Sequence, residues 1–433
     1  RLQASFPYPV LQLPNRCQRF CQHGPAPNRN CNPPVVLVNC HKSCGPYRPA
    51  HKTMENNVTP HYTTGFRRRV NALRKRMTLY PDAHLDTAWI IQPENRRYLS
   101  GFEAADTQIT ESSGSLLITQ DRAVLVTDSR YTTQAQKEAP EFEVLTIARS
   151  LAEELPDILG TFGTRHLGFE GGHLTWETYH RLREAFDAAP RDVELHPLNN
   201  MVEDMREIKD QAEREALTDA AHLISRIIET VAADLRPGMT EKEVAYHIES
   251  LARTGGAESL SFPSIVASGP NSALPHAVPT DRKLKEGEPI ILDAGVRLNG
   301  YCSDMTRTLF LGTPRENFRH IYKIVRKAQS AAIHAITPSI LSTQVDQMAR
   351  QIIDEAGYGE YFGHGLGHGV GLATHEAPKL GPRGPVLLKE GMVATVEPGI
   401  YIPEMGGVRL EEMVAVTPTG AEVLTPNQNL YDF

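Results

Sequence analysis

The segment EPIILDAGVRLNGYCSDMTRTLFLG carries Asp293 and Asp304 on either side of Asn299-Gly300. Asn-Gly between alternating strand formers predicts a two-residue type I′ hairpin, because both central positions of that turn need positive φ. Such a turn sets Leu298 opposite Tyr301 and Gly295 opposite Asp304. Asp293 lies two residues from Gly295, so its side chain shares a face with that of Asp304. The two carboxylates become diagonal neighbours, roughly 7–8 Å apart at the backbone, close enough to share bound cations. Without a cation they repel, and one member is expected to titrate abnormally. Two acids alone would read as a solvated hairpin, but further donors follow.

GHGLGHGVGLATHEAP (363–378) sets His364, His368 and His375 among alternating glycines. Glycine at that frequency makes a poor helix and instead lets backbone come close to another object. The pattern is not G-x-G-x-x-G, which argues against a phosphate loop. In MVATVEPGIY (392–401), Glu397 ends an apolar strand, where a carboxylate is costly unless paired or bound to metal. In GGVRLEEMVAV (406–416), alternation sends Arg409 and Glu411 to one face and Glu412 to the other. Glu411 is therefore the candidate ligand, and Glu412 is expected to face solvent or to support from behind. Four carboxylates and an imidazole make an oxygen-rich set suited to two divalent cations, unlike a Cys₄ or His₃ zinc site.

The elements that must position these groups fall into two sets. DTAWII (86–91), SLLIT (115–119) and AVLVTD (123–128) read as short strands; 131–139, 150–160 and 175–187 read as helices; HLGFE (166–170) and VELHPL (193–198) read as further strands. This alternation predicts a smaller α/β domain over 66–199. Helical spacing over 201–235 stops at Pro237-Gly238, and Thr240 with Glu243 predicts a capping box for the next helix. Strands, a hairpin, helices over 316–336 and 343–356, the glycine-rich loop and terminal strands complete an α+β domain over 200–433. The Arg67, Arg68, Arg69, Arg74, Lys75, Arg76 patch reads as an exposed helical face.

The 433-residue chain has a formal charge of −7. Residues 1–53 hold seven of the 45 basic residues and no acid, so the remainder sets 38 basic against 52 acidic residues, a net of −14. An acidic body is a poor nucleic-acid binder, and no apolar run approaches the roughly 20 residues that span a bilayer. Five of the six cysteines, Cys17, Cys21, Cys31, Cys40 and Cys44, crowd the first 44 residues, leaving Cys302 in a body that reads as cytosolic. Segment 1–65, rich in Pro, Asn and Arg at its start, is expected to be a disordered extension or to precede a start at Met54, rather than to close a zinc site.

From about residue 66 to 433 the chain resembles the pita-bread metallopeptidases, particularly their Xaa-Pro dipeptidase (prolidase) and aminopeptidase P branches. The resemblance rests on the order Asp, Asp, His, Glu, Glu in the contexts quoted above. It implies that Asp293 chelates one metal, that Asp304 and Glu411 bridge both, and that His368 and Glu397 hold the other. It also implies that His276 (in SGPNSALPHA), His364 and His375 stand around the substrate. Arg409 and Tyr401 fall at supporting or substrate-contacting positions. NRRYLSGF (95–102) and TDSRYTTQA (127–135) are similar to the creatinase/prolidase N-terminal domain, which implies a homodimer.

The activity so implied is hydrolysis of the Xaa-Pro bond of dipeptides or short peptides. Two divalent ions, Mn²⁺ ahead of Co²⁺, Zn²⁺ or Fe²⁺, would activate a bridging hydroxide, with Glu397 as proton carrier and His276 and His375 as oxyanion donors. The alternatives are an aminopeptidase P acting on longer Xaa-Pro-Yaa peptides and a nonenzymatic pita-bread binding protein. A dipeptidase needs a cation for the proline carboxylate, for which Arg409, Lys379 and Arg383 are available.

Overall fold

Short apolar runs bounded by turn residues build the first half of the computed structural model, which describes residues 60–81, 83–104, 112–189 and 192–425. The cysteine pairs of the first 44 residues lie outside this range. Strands β1 (Thr87–Ile90), β2 (Ser115–Thr119), β3 (Ala123–Asp128), β4 (Glu143–Ile147), β5 (His166–Phe169) and β6 (Glu194–Pro197) form one sheet in the order β4-β3-β2-β1-β5-β6. The β1–β2 and β2–β3 pairs are antiparallel; β3–β4, β1–β5 and β5–β6 are parallel.

Both faces of that sheet are covered, which is why SLLIT is apolar without alternation. Helices α1 (Pro60–Thr78), α2 (Pro93–Ser100) and α3 (Thr132–Glu138) pack on one side; Leu73 and Met77 of α1 meet Ile90, Leu116 and Ile118 in a shared core. On the other side lie α4 (Leu151–Phe162) and α5 (Trp176–Ala188), whose Leu155, Leu159, Leu182 and Phe186 meet Leu117, Val124 and Leu167.

Two sequence expectations need correction here. Helix α1 begins at Pro60, ahead of residue 66, so the end of the supposed extension is helical. Its basic face is not uniformly exposed. Arg69 is packed over the Tyr98 ring and paired with Asp210 (2.9 Å) and Glu213 (3.1 Å). Arg74 donates to the Thr119 carbonyl (2.7 Å) and Arg76 to that of Met201 (2.9 Å). Arginine stems cover apolar surface while the guanidinium reaches a distant acceptor, so a run of cations need not face water.

After the one-turn α6 (Glu203–Arg206), the second half opens with α7 (Gln211–Asp234) and α8 (Glu241–Thr254). Each starts at a reciprocal capping box, Asp210 with Glu213 and Thr240 with Glu243, the latter as the sequence predicts. These helices cover β7 (Ser259–Leu260), β8 (Ile265–Ser268), β9 (Pro289–Ala294), β10 (Val296–Leu298), β11 (Tyr301–Cys302) and β12 (Met305–Phe310). The paired helices α9 (Glu316–Ala335) and α10 (Ser342–Glu355) cover a five-stranded antiparallel sheet. It comprises β13 (Gly367–Gly369), β14 (Glu376–Leu380), β15 (Val393–Val396), β18 (Glu412–Thr417) and β19 (Gly420–Val423). A two-stranded ribbon of β16 (Gly399–Ile402) and β17 (Gly406–Arg409) lies between β15 and β18 in the sequence. Among the described residues no helix is long and apolar enough to cross a membrane.

Candidate metal centre

The Asn299-Gly300 turn has φ of +51° and +79°, the two positive values that a type I′ hairpin requires. Leu298 pairs with Tyr301 and, further along, Thr306 with Asp293. Asp293 and Asp304 are therefore diagonal neighbours on one face, and both are buried. Glycines in the histidine segment serve close backbone approach. A side chain at Gly367 would collide with the Thr395 carbonyl of β15, and one at Gly369 with the Ala377 carbonyl of β14. This squeezes β13 between its neighbours and brings His368 over the carboxylates.

The structure assembles the predicted group. Donor atoms of Asp304, His368 and Glu411 lie within 4.8 Å of one another. The His368 Nε2 atom is 3.7 Å from Asp304 and 3.4 Å from Glu397. Asp293 is held by the Arg409 guanidinium at 2.6 Å, while its Oδ1 is buried without a hydrogen-bond partner among the described residues. Arg409 also donates to the Tyr401 hydroxyl (3.0 Å), which in turn meets His364 Nε2 (3.0 Å). The His375 ring packs edge-on against His368 with centroids 4.2 Å apart. His276 is exposed, yet near enough to depress the pKa of both His364 and His375.

Burial, reinforced by Glu411, Asp293 and Glu397, pushes Asp304 well above the usual carboxylate range. Burial, with Glu411 beside it, does the same to Glu397. Glu411 is pushed up to about 8 by burial and by Asp293. His368 is held down at about 4 by burial and by His375, and His364 at about 4 by burial. A pocket that disfavours ionised carboxylates, keeps its imidazoles neutral and leaves one carboxylate oxygen unsatisfied has the donor chemistry of a divalent-cation site. Asp293, Asp304, His368, Glu397 and Glu411 fit such ions.

This sets the pH response of the metal-free protein. Above about pH 6.5, the ordinary imidazole value, the raised carboxylates leave the folded state with more protons than the unfolded chain; below it the depressed His364, His368 and His375 offset them. Stability therefore falls as pH rises above that value. Thermal melting of the chelated protein is expected to decline from about pH 6.5 to about pH 8, and less steeply in E411Q. Equal slopes for the two proteins would refute the assignment.

Several supporting residues escaped the sequence reading. Thr306 donates to Glu411 (2.8 Å) and accepts from Arg409 (3.1 Å); Thr395 accepts from the His368 amide (3.1 Å) and donates to Glu397 (3.3 Å). Each stands two residues from a ligand candidate that flanks its strand, Thr306 of β12 from Asp304 and Thr395 of β15 from Glu397, so alternation was a signal for them. Of the two positions expected for Glu412, the structure takes support from behind over facing solvent. It is 3% exposed and bonded by Arg307 at 2.9 and 3.0 Å. Glu376, beside His375, is gripped by Arg206 (2.5 Å) and Lys209 (2.7 Å), a contact for which the sequence holds no local signal.

Comparison with known proteins agrees with this architecture. Residues 69–208 match the creatinase/prolidase N-terminal domain and residues 215–418 match metallopeptidase family M24. The chain is 36% identical over 357 residues to the Xaa-Pro dipeptidase of Pyrococcus furiosus, covering 82% of this chain and 98% of that one. Among solved structures, an Xaa-Pro dipeptidase from Bacillus anthracis superposes with a TM-score of 0.78 at 38% identity, covering 84% of this chain and 98% of its own. An X-Pro aminopeptidase from Thermotoga maritima gives 0.72 at 35%, covering 79% and 96%. With both halves matched in order and nearly the full length of each relative covered, the chain belongs to metallopeptidase family M24, its pita-bread domain preceded by a creatinase-type N-terminal domain.

Proposed function

We propose that this metallopeptidase hydrolyses the Xaa-Pro bond at the N-terminus of dipeptides and short peptides. The observation that carries the reading is the convergence of Asp304, His368 and Glu411 donor atoms within 4.8 Å, with Asp293 and Glu397 alongside. Bound there, two divalent cations, manganese in the first instance, would supply Lewis acidity and an activated water. The protein groups do the rest. Glu397 carries a proton to the prolyl nitrogen, a secondary amine that departs only when protonated. His375 and His276 offer hydrogen bonds to the carbonyl oxygen as it gains charge, a contribution of about 3–4 kcal/mol. Burial and His276 depress the His375 pKa, so it serves as a neutral donor.

Arg409 acts through others. Its bonds to Asp293, Tyr401, Thr306 and the Pro275 carbonyl tie it to the carboxylate layer. A direct grip on the proline carboxylate falls instead to exposed Lys379 or Arg383. The 36% identity to a dipeptidase supports the dipeptide reading, and the likeness to an X-Pro aminopeptidase supports a second, aminopeptidase P reading. A homodimer, from the likeness of residues 69–208 to the creatinase/prolidase N-terminal domain, and a reducing cytoplasmic compartment, from Cys302 being a free thiol, complete the proposal.

One assay separates the readings. After chelation, hydrolysis of Xaa-Pro and Xaa-Pro-Yaa-Yaa is compared with and without added Mn²⁺. The dipeptide is expected to be cleaved at least about tenfold faster, a difference of roughly 1.4 kcal/mol in transition-state binding, and only with the ion. Faster cleavage of the longer peptide selects aminopeptidase P. Cleavage of neither, with metal bound, overturns both.

A further inference from the structure

A second group of metal-type donors, His166, Glu194 and His196, stands on the N-terminal sheet, away from the carboxylate pocket. β5 and β6 run parallel with His166 opposite Glu194 and Gly168 opposite His196. Side chains two apart on a strand share a face. Glu194 and His196 thus project together from β6, and His166 joins them from β5.

The donor separations are close to those that one small cation would impose. His166 Nδ1 lies 3.2 Å from His196 Nε2 and 3.4 Å from a Glu194 oxygen; the other Glu194 oxygen is 3.8 Å from His196 Nε2. Donors held tetrahedrally at about 2.0–2.1 Å from zinc stand about 3.3–3.4 Å apart. A hydrogen bond between two neutral imidazoles accounts for the first distance alone. It gives no reason for a carboxylate to lie beside both ring nitrogens.

The surroundings resemble a prepared site more than a chance surface cluster. His196 is only 8% exposed, and the edge of the Tyr80 ring packs against it at 5.9 Å. Tyr80 is itself anchored by a 2.9 Å bond from its hydroxyl to the Pro197 carbonyl. Glu194, with a side chain 66% exposed, leaves the remaining coordination position toward solvent.

We propose that His166, Glu194 and His196 form a separate site for one divalent transition cation of the zinc class. Two imidazoles and one carboxylate suit zinc, cobalt or nickel better than manganese, the reverse of the oxygen-rich pocket. β6 is the edge strand of its sheet, so the ion clips that edge to β5 just before the chain enters the second domain.

The test counts metal on the full-length chain. Wild type, H166N/E194Q, D304A and the combined triple variant are equilibrated with ZnCl₂, freed of excess by gel filtration and analysed by mass spectrometry. The double variant keeps the buried His196 in place. Wild type is expected to hold about one zinc more than H166N/E194Q, and D304A about one more than the triple variant. Manganese-supported peptide hydrolysis by H166N/E194Q should stay within about twofold of wild type. Equal zinc content with and without the two substitutions overturns the site. Its failure is distinguishable from failure of the pocket reading, which D304A reports by itself. As a check independent of the double variant's folding, Co²⁺ bound to D304A should show the intense visible absorption of four-coordinate cobalt. A spectrum of aqueous cobalt only would overturn the proposal.

Discussion

Asp304→Ala is expected to cost the protein its pocket metal and its hydrolytic activity together, and Glu411→Ala to do the same. Losing an outer-shell partner of a metal site typically costs about 10–100-fold in affinity or activity, and removing a ligand should exceed that range. Asp304 is the sharper test because it lies at the centre of the group. It is diagonal to Asp293, 3.7 Å from His368 and within 4.8 Å of a Glu411 donor atom.

The same substitution carries a second consequence of opposite sign. Burial and three neighbouring carboxylates make the ionised Asp304 unfavourable in the metal-free fold. The conservative D304N variant removes one charge from that crowd and keeps its shape. Chelated D304N should therefore melt at or above chelated wild type at pH 8, while Mn²⁺ should raise the melting temperature of wild type far more than that of D304N. Metal analysis, calorimetry and peptide cleavage read the three quantities on the same samples. Full activity without bound metal would end the proposal, and a chelated D304N less stable than wild type would contradict the electrostatic account.

The five ligand candidates were legible because each sits where a local rule speaks. Asn299-Gly300 fixes a turn, the turn fixes a register, and the register sets Asp293 beside Asp304. Crowded glycines around His368 announce close backbone approach, which Thr395 and Ala377 provide. Glu397 ends an apolar strand. Capping at Thr240 followed from the same kind of short-range chemistry.

What failed is equally instructive. Alternation placed Glu411 and Glu412 on opposite faces, but it carries no information about what lies beyond each face. Sheet residues here are covered on both sides, so the face turned from the pocket holds a buried Arg307–Glu412 pair instead of water. The chain also changes partners between β17, which pairs with β16, and β18, which pairs with β15. The basic run on α1 misled for a related reason. Its arginines meet acceptors up to 142 positions away, and no local pattern encodes such pairs. Nor does anything near Glu376 announce Arg206 and Lys209, which arrive from the connection between the two halves.

That Arg307–Glu412 pair yields the other large effect. Arg307 is fully buried, bonds both Glu412 oxygens and donates to the Glu411 carbonyl at 2.6 Å. Thr425 donates a short bond to the same Glu412 carboxylate. Replacing Arg307 by Met leaves a buried carboxylate without its cation, a change that costs about 3–5 kcal/mol in comparable buried pairs. R307M is therefore expected to unfold at markedly lower urea than wild type. The double variant R307M/E412L removes the stranded charge, and well-packed apolar replacements of buried ion pairs are often neutral or better. Most of the lost stability should return. Function should not follow it, because the Arg307 bond to the Glu411 carbonyl is still missing, and metal affinity should stay about 10–100-fold below wild type. Urea titration and Mn²⁺ binding on the three proteins separate these contributions. If R307M is as stable as wild type, the pair is not holding this sheet. If the double variant recovers metal affinity along with stability, Arg307 does not position Glu411.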